Sequence, residues 1–297
     1  MIIVRLIGGL GNQFFQYAVG RYLAEKHNTD LKIDILGFET YKLHKYSLFP
    51  FNIKEDVATA EEVSVFTQHK QGFINGVFTK LFCRSARSPS SHVQEKHFHF
   101  DHEILNLSDN VYLDGYWQSE KYFIGIKDII RREFTVKNRQ NGKDKELAKI
   151  ITSCEAVSLH IRRADYVSNA NTQQIYGTCG LDFYYRSIAN ITQTVSNPHF
   201  FIFSDDPEWA RDNLKLDYST TLVDHNNADK NYEDLRLMSQ CKHNIIANSS
   251  FSWWGAWLNN TPNKLVCAPR RWLKDTTAAG DYNAFIDNLL PPEWTRL

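Results

Sequence analysis

Along residues 151–297, short apolar runs alternate with stretches in which apolar side chains recur every three or four positions. The runs at 156–161, 199–204, 220–223, 243–247 and 264–268 have the length of buried strands, and helical patterns fall near 182–194, 207–214, 231–241 and 250–259. Such alternation predicts a doubly wound parallel sheet. The chain opens in the same way. Ile2 to Leu6 predict a strand, Gly8, Gly9 and Gly11 a tight turn, and Phe14, Phe15, Ala18, Tyr22 and Leu23 the apolar stripe of a helix from about Asn12 to His27. A strand over Leu31 to Ile35 follows; Val111 to Leu113 predict another, and about Ser119 to Arg132 a helix. Residues 37–110 carry little pattern, and the polar, Ser- and Pro-containing segment 84–99 predicts a loop. The charged stretch 137–146 is the best linker candidate, so two domains are expected, 1–148 and 149–297.

Composition narrows the class. With 42% hydrophobic and 23% charged residues in 297, the chain is an ordinary globular protein. Lys+Arg and Asp+Glu both number 34, which leaves no basic footprint, and no nucleic-acid partner is expected. The five cysteines, Cys83, Cys154, Cys179, Cys241 and Cys267, are widely spaced without a C-x-x-C pair, the pattern of reduced thiols in a cytoplasmic protein. The opening MIIVRLIGGLGNQ lacks the basic start of a signal peptide, and no run approaches the roughly 18 apolar residues of a membrane span. A cytoplasmic location is expected, with peripheral docking to the inner face of a membrane left open.

Candidate chemistry gathers at strand ends. His160/Arg162/Arg163/Asp165, Ser204/Asp205/Asp206 and Asn248/Ser249/Ser250 each follow a predicted strand of the second half. Ligands of doubly wound sheets bind outside the carboxyl ends of the strands, so three polar clusters on one edge predict a site. Adjacent guanidiniums are costly in a core but match phosphate oxygens bidentately; an Arg–Asp network capping the strand is the alternative. Asp205-Asp206-Pro207 reads as a helix cap with Pro at the first helical position. It also resembles the paired aspartates that hold a divalent metal in many sugar-nucleotide transferases. Capping is preferred, because the arginines already supply the positive charge a metal would bring. Asn248 to Ser250 precede the helical FSWWGAWLN, where hydroxyls and N-terminal amides can receive phosphate oxygens or simply cap the helix. Trp253, Trp254 and Trp257 are assigned to the core.

In the first half, the glycine loop offers backbone N–H groups, and Asn12 and Gln13 place two amides at its tip. It is not G-x-G-x-x-G, since position 14 is Phe, and it lacks a Walker lysine. A tight turn for close packing is the alternative. Gly115-Tyr116-Trp117-Gln118 reads as a sugar platform or as packing. His92, His97 and His99 include an H-x-H pair, but no carboxylate or Cys completes a metal spacing, and a solvated loop is expected.

Five blocks carry a resemblance over nearly the whole chain: IGGLGNQFFQYA at 7–18, DGYWQSEKYF at 114–123, HIRRADYV at 160–167, FSDDPEWA at 203–210 and ANSSFSWWGAWL at 247–258. In this order they resemble bacterial α-1,2-fucosyltransferases of glycosyltransferase family 11. The resemblance implies an α/β, GT-B-like fold of two Rossmann-type domains facing a central cleft. It implies inverting transfer of L-fucose from GDP-β-L-fucose to the 2-hydroxyl of a terminal galactose of a glycan, with peripheral membrane association if that glycan is lipid-linked. A guanidinium aimed at the departing GDP would remove the need for a metal, and no other cofactor is expected. Arg162 would then meet the β-phosphate with Arg163 in support. His160 and Asp234 would hold the guanine–ribose end, and Asp205, Asp206, Asn248, Ser249, Ser250 and Phe251 would complete the donor pocket. Asn12, Gly9 and Gly11 would face the pyrophosphate and acceptor, and Tyr116, Trp117 and Gln118 the acceptor. Asp165 is either the base that takes the acceptor proton or an orienter of the arginines. A fucosyltransferase of other linkage or acceptor and a non-catalytic nucleotide-sugar-binding module are the alternatives. A nicotinamide oxidoreductase is disfavoured by the lack of G-x-G-x-x-G.

Overall fold

A computed structural model describes residues 1–67, 91–163, 166–167 and 169–297. The chain divides into two compact units, Met1–Phe49 with Ile53–Glu133, and Pro50–Asn52 with Phe134–Leu297.

The first unit is built on β1 (Ile2–Arg5), α1 (Leu10–His27), β2 (Leu31–Asp34), α2 (Ala60–Thr67), β3 (Ser91–Gln94), β4 (Val111–Asp114) and α3 (Lys127–Glu133). Its sheet runs β2-β1-β4-β3, every pair parallel, with Ile2 beside both Leu31 and Val111. Ile2, Ile3 and Val4 are fully buried because both faces of β1 are covered, as parallel sheets require. Helix α1 closes on this sheet at Gly20. A Cβ there would stand 2.9 Å from Leu31 Cδ1 and 3.1 Å from Val4 Cγ1, so only glycine allows the approach.

Two expectations for this half change. Segment 84–99 is not all loop: residues 91–94 form β3, the sheet's outer strand, and lack an apolar pattern because an edge strand is largely solvated. Nor is the stretch from Ser119 to Arg132 one helix. It runs through two 3-10 turns, Glu120–Tyr122 and Ile124–Ile126, before α3, because the fully buried Phe123 sits between them at φ −138°.

The second unit contains α4 (Gly142–Ser153), β5 (Glu155–Ile161), α5 (Ala170–Ile175), α6 (Leu181–Thr192), β6 (Pro198–Ser204), α7 (Pro207–Asn213) and β7 (Ser219–Val223). It continues with α8 (Asn231–Gln240), β8 (His243–Ile245), α9 (Ser250–Leu258), β9 (Val266–Ala268), α10 (Tyr282–Leu289) and β10 (Thr295–Arg296). The sheet order is β10-β9-β8-β5-β6-β7, all parallel, with β5 central. The expected strands and helices are present with ends shifted by one to two residues. Strand β10 was not anticipated, because two residues carry no period. The polar run 137–146 enters α4 at Gly142, where buried Asp144 accepts from His225 Nε2 and Asn226 Nδ2, both at 2.9 Å. Trp253 and Trp254 are fully buried and Trp257 nearly so, as expected of core residues. Among the described residues no helix is long and apolar enough to cross a membrane.

Candidate functional site

In the second unit, β5 and β6 pair in register up to Ile161 beside Ser204, so the chain leaves both strands at the same level. Arg162 and Arg163 therefore face Asp205 and Asp206 across one strand spacing. Asp205 accepts from Arg162 Nη1 at 3.0 Å and from the Arg163 backbone N–H at 2.8 Å. Asp206 accepts from Arg163 Nε at 3.4 Å while its other oxygen receives the Trp209 N–H at 3.2 Å, capping α7. The Asp206 N–H in turn donates to Ser204 Oγ at 3.0 Å. Aromatic rings cover both guanidiniums: the Arg163 Cζ lies 3.9 Å from the Trp209 centroid and the Arg162 Cζ 5.6 Å from that of Tyr166. The result is two cationic planes whose directions are set by carboxylates below and rings beside them. Arrays of this kind favour phosphate oxygens.

His160, the penultimate residue of β5 and two before Arg162, is 4% exposed and its ring lies 5.5 Å from that of Phe251 on α9. Burial, reinforced by Arg162 and opposed by Asp205, pushes its imidazolium pKa down to about 4, so the ring is neutral at pH 7. Its Nδ1 is buried and has no hydrogen-bond partner among the described residues. Helix α9 begins on the same edge. Ser249 caps it, Oγ accepting from the Phe251 N–H at 3.3 Å, and Ser250 starts its first turn partly exposed. Tyr166 connects the clusters by donating to the Asn248 carbonyl at 3.0 Å.

Two residues expected at the donor are engaged by other parts of the chain. The Asn248 carboxamide, 2% exposed, donates to the carbonyls of Tyr176, Gly177 and Trp272 at 3.0–3.2 Å, so the side chain fastens two loops. Asp234 belongs to another polar group: it accepts from Asn226 Nδ2 at 2.8 Å, and Asn226 also reaches Asp144. Burial pushes the Asp234 carboxyl up to about 7, against the pull of Asn226 and His225. Asp165 lies outside the described residues. Tyr166 and Trp209 were missed as parts of the site. Tyr166 stands four residues after the Arg162 it covers, a spacing that sequence alone does not tell from packing, and Trp209 reaches Arg163 only through the pairing of β5 with β6.

In the first unit, Gly8 adopts φ +79° and Gly9 caps α1. A Cβ on Gly8 would stand 2.6 Å from Asn12 Nδ2, so this turn requires glycine. Asn12 is partly exposed, Gly9 is too, and Gly11 is buried in the first turn. Gln118 Nε2 donates to Asn12 Oδ1 at 2.8 Å, which brings the glycine loop and the 115–118 turn together. Gln13 is not at the tip: fully buried, it donates to the Gly8 and Lys45 carbonyls at 2.8 and 2.9 Å. Trp117 is 1% exposed and packs edge-on against Tyr122, so it anchors the turn and offers no open platform; Tyr116 and Gln118 are partly exposed. His97 and His99 stack at 4.9 Å, while His92 Nε2 approaches Asp114 at 3.5 Å. Among the described residues no three His, Cys, Asp or Glu side chains group to hold a metal ion.

The two parallel sheets with polar carboxyl ends define an α/β protein of the GT-B-like class. The same fold is seen in a crystal structure of NodZ α-1,6-fucosyltransferase soaked with GDP-fucose, at 15% identity and a TM-score of 0.51, covering 94% of this chain and 96% of that one. The chain belongs to glycosyltransferase family 11, whose model, described as Glycosyl transferase family 11, matches residues 1–295. Among its relatives, an α-1,2-colitosyltransferase of Escherichia coli is 36% identical over all of this chain and 99% of its own length. The O-antigen biosynthesis glycosyltransferase WbnK of Escherichia coli is 30% identical, covering 90% of this chain and 93% of WbnK.

Proposed function

We propose that this glycosyltransferase moves L-fucose from GDP-β-L-fucose to the 2-hydroxyl of a terminal galactose, with inversion. The observation that carries the reading is the Arg162–Asp205 and Arg163–Asp206 lattice beside the His160 Nδ1, which has no partner among the described residues. It supplies oriented cations for a diphosphate and a buried polar atom for the rest of a nucleotide. Glycosyl transfer builds positive charge on the sugar ring and negative charge on the departing phosphate. Arg162, already oriented, stabilises that phosphate as the bond breaks, which is where preorganised charge is most effective. The acceptor hydroxyl gives up its proton to a carboxylate base, a role proposed for Asp165.

The same lattice supports transfer without a divalent metal, because Asp205 and Asp206 are engaged by the arginines they orient. Tyr116, Gln118 and Asn12 are proposed as acceptor-side contacts on the first unit. The likeness to WbnK supports a surface-polysaccharide precursor as acceptor, reached at the inner face of a membrane if that precursor is lipid-linked.

The likeness to an α-1,2-colitosyltransferase favours a second reading, with the same linkage but a different sugar. Colitose is L-fucose without its 3-hydroxyl, so the readings separate by turnover with GDP-fucose against GDP-colitose. Faster turnover with GDP-fucose, and product NMR showing an α-1,2 linkage, are expected; a strong preference for GDP-colitose would replace the first reading. Asp165→Asn tests the base. Lost turnover with unchanged GDP affinity is expected, and retained turnover would leave Asp165 an orienter.

A further inference from the structure

The Asn12 amide is held by a chain of contacts that begins at a residue in none of the motifs. Glu95 directly follows β3, and its two carboxylate oxygens accept the backbone N–H groups of Tyr116 at 2.7 Å and Trp117 at 2.9 Å. Glycine at 115 makes the approach possible, since a Cβ there would lie 2.3 Å from Glu95 Cβ. The turn so fastened holds Trp117 at φ +54°, a left-handed conformation that a bulky side chain rarely adopts and that must be enforced by its surroundings. The buried indole locks the same turn against Tyr122, with centroids 5.9 Å apart. One residue on, Gln118 Nε2 donates to Asn12 Oδ1 at 2.8 Å, which fixes the plane of the Asn12 carboxamide with its Nδ2 above Gly8.

We propose that Glu95 is a positioning residue for the transferase reaction: its carboxylate holds the strained 115–118 turn and thereby orients the Asn12 carboxamide toward substrate. The proposal rests on the reading of Asn12 as a substrate contact. Two backbone donors on one carboxylate favour its charged form, which accepts strongly at both oxygens, whereas a protonated carboxyl accepts more weakly at its hydroxyl and an amide accepts at only one atom. Asp114, Tyr116 and Tyr122 interact electrostatically with Glu95; Asp114 is itself held by Arg5 at 3.0 Å and His92 at 3.5 Å. Burial, the largest influence, pushes the Glu95 carboxyl up to about 7, with the two backbone bonds opposing. The turn is therefore fully fastened above neutrality and loosens as pH falls through that range.

The test measures kcat and acceptor KM from pH 5 to 9 for the full chain, Glu95→Gln, Asn12→Ala and the double variant. GDP affinity and melting temperature are followed alongside. Glu95→Gln is expected to lower kcat about tenfold, to flatten the acid limb near pH 7 and to leave GDP affinity unchanged. The double variant should be no slower than Asn12→Ala alone, because that substitution already removes what Glu95 orients. Additive losses, or an unchanged kcat and acid limb in Glu95→Gln, would overturn the proposal. Full activity in Asn12→Ala would instead remove the reading beneath it, an outcome visible in that variant alone. If Glu95→Gln melts below the assay temperature, Glu95→Asp keeps a carboxylate and should keep the acid limb; its loss there also overturns the assignment.

Discussion

Arg162 carries a charge that the protein has already aimed. Asp205 takes one edge of its guanidinium and the Tyr166 ring covers its face, so in the role proposed for it little reorganisation remains when negative charge builds on a leaving phosphate. Arg162→Ala is expected to lower kcat/KM at least about 100-fold, about 2.7 kcal/mol, and Arg162→Lys to recover only part of it in steady-state assays. Retained activity in Arg162→Ala would remove it from the mechanism. His160 has a different signature. Its pKa is about 4 in the folded protein against an ordinary 6.5, so the unfolded chain binds more protons between those values. The associated stability is complete above pH 6.5 and is lost as pH falls toward 4, up to about 3 kcal/mol. Urea midpoints should fall over that window, and less steeply in His160→Gln. Asp234 has the opposite sign, since burial raises its pKa to about 7 and its charged form opposes folding as pH rises through that value. Asp234→Asn should therefore raise the melting temperature at pH 8 more than at pH 5. Arg162, Asp205 and His160 were legible in the sequence because charges at a strand's end are conspicuous. Glu95 was not, because its only local signal is a short, polar edge strand, and Asn248 was legible as polar but not as an internal clamp.

At the scale of elements, the site depends on where strands stop. Because β5 and β6 end together, one pair of arginines meets one pair of aspartates, and Asp206 also starts α7. Asp206→Ala removes both a cap and a partner of Arg163. It should destabilise the protein by about 1 kcal/mol in denaturant titrations and weaken GDP binding less than Arg162→Ala does. Gly8 plays the corresponding part after β1. Gly8→Ala would force a side chain into the left-handed region and against Asn12 Nδ2, so transfer should be lost while GDP affinity is retained. Loss of GDP affinity as well would mean that the turn supports the fold more widely. The strands of both sheets were readable wherever they were buried on two faces, since continuous apolar runs then have no other use. The stretch 119–132 was misread because its apolar spacing suits a helix, whereas buried Phe123 interrupts it.

At the scale of the whole molecule, each unit repeats one plan, a parallel sheet with its chemistry at the carboxyl ends of the strands. The phosphate-type lattice is in the second unit, and the Asn12–Gln118 amide pair is in the first. Family membership follows from the match over residues 1–295, whereas the transferred sugar and its acceptor have to be read from individual side chains. The five motifs made the family legible, while residues 37–110, which carry none of them, stayed unreadable. The most direct test of the account is GDP release from GDP-fucose, measured in excess EDTA with and without a β-galactoside, for the wild-type chain and Arg162→Ala. The account predicts acceptor-dependent release in EDTA from the wild type and at least about 100-fold slower release from Arg162→Ala. Release that needs a restored divalent metal, or that is equal in the two proteins, would contradict it.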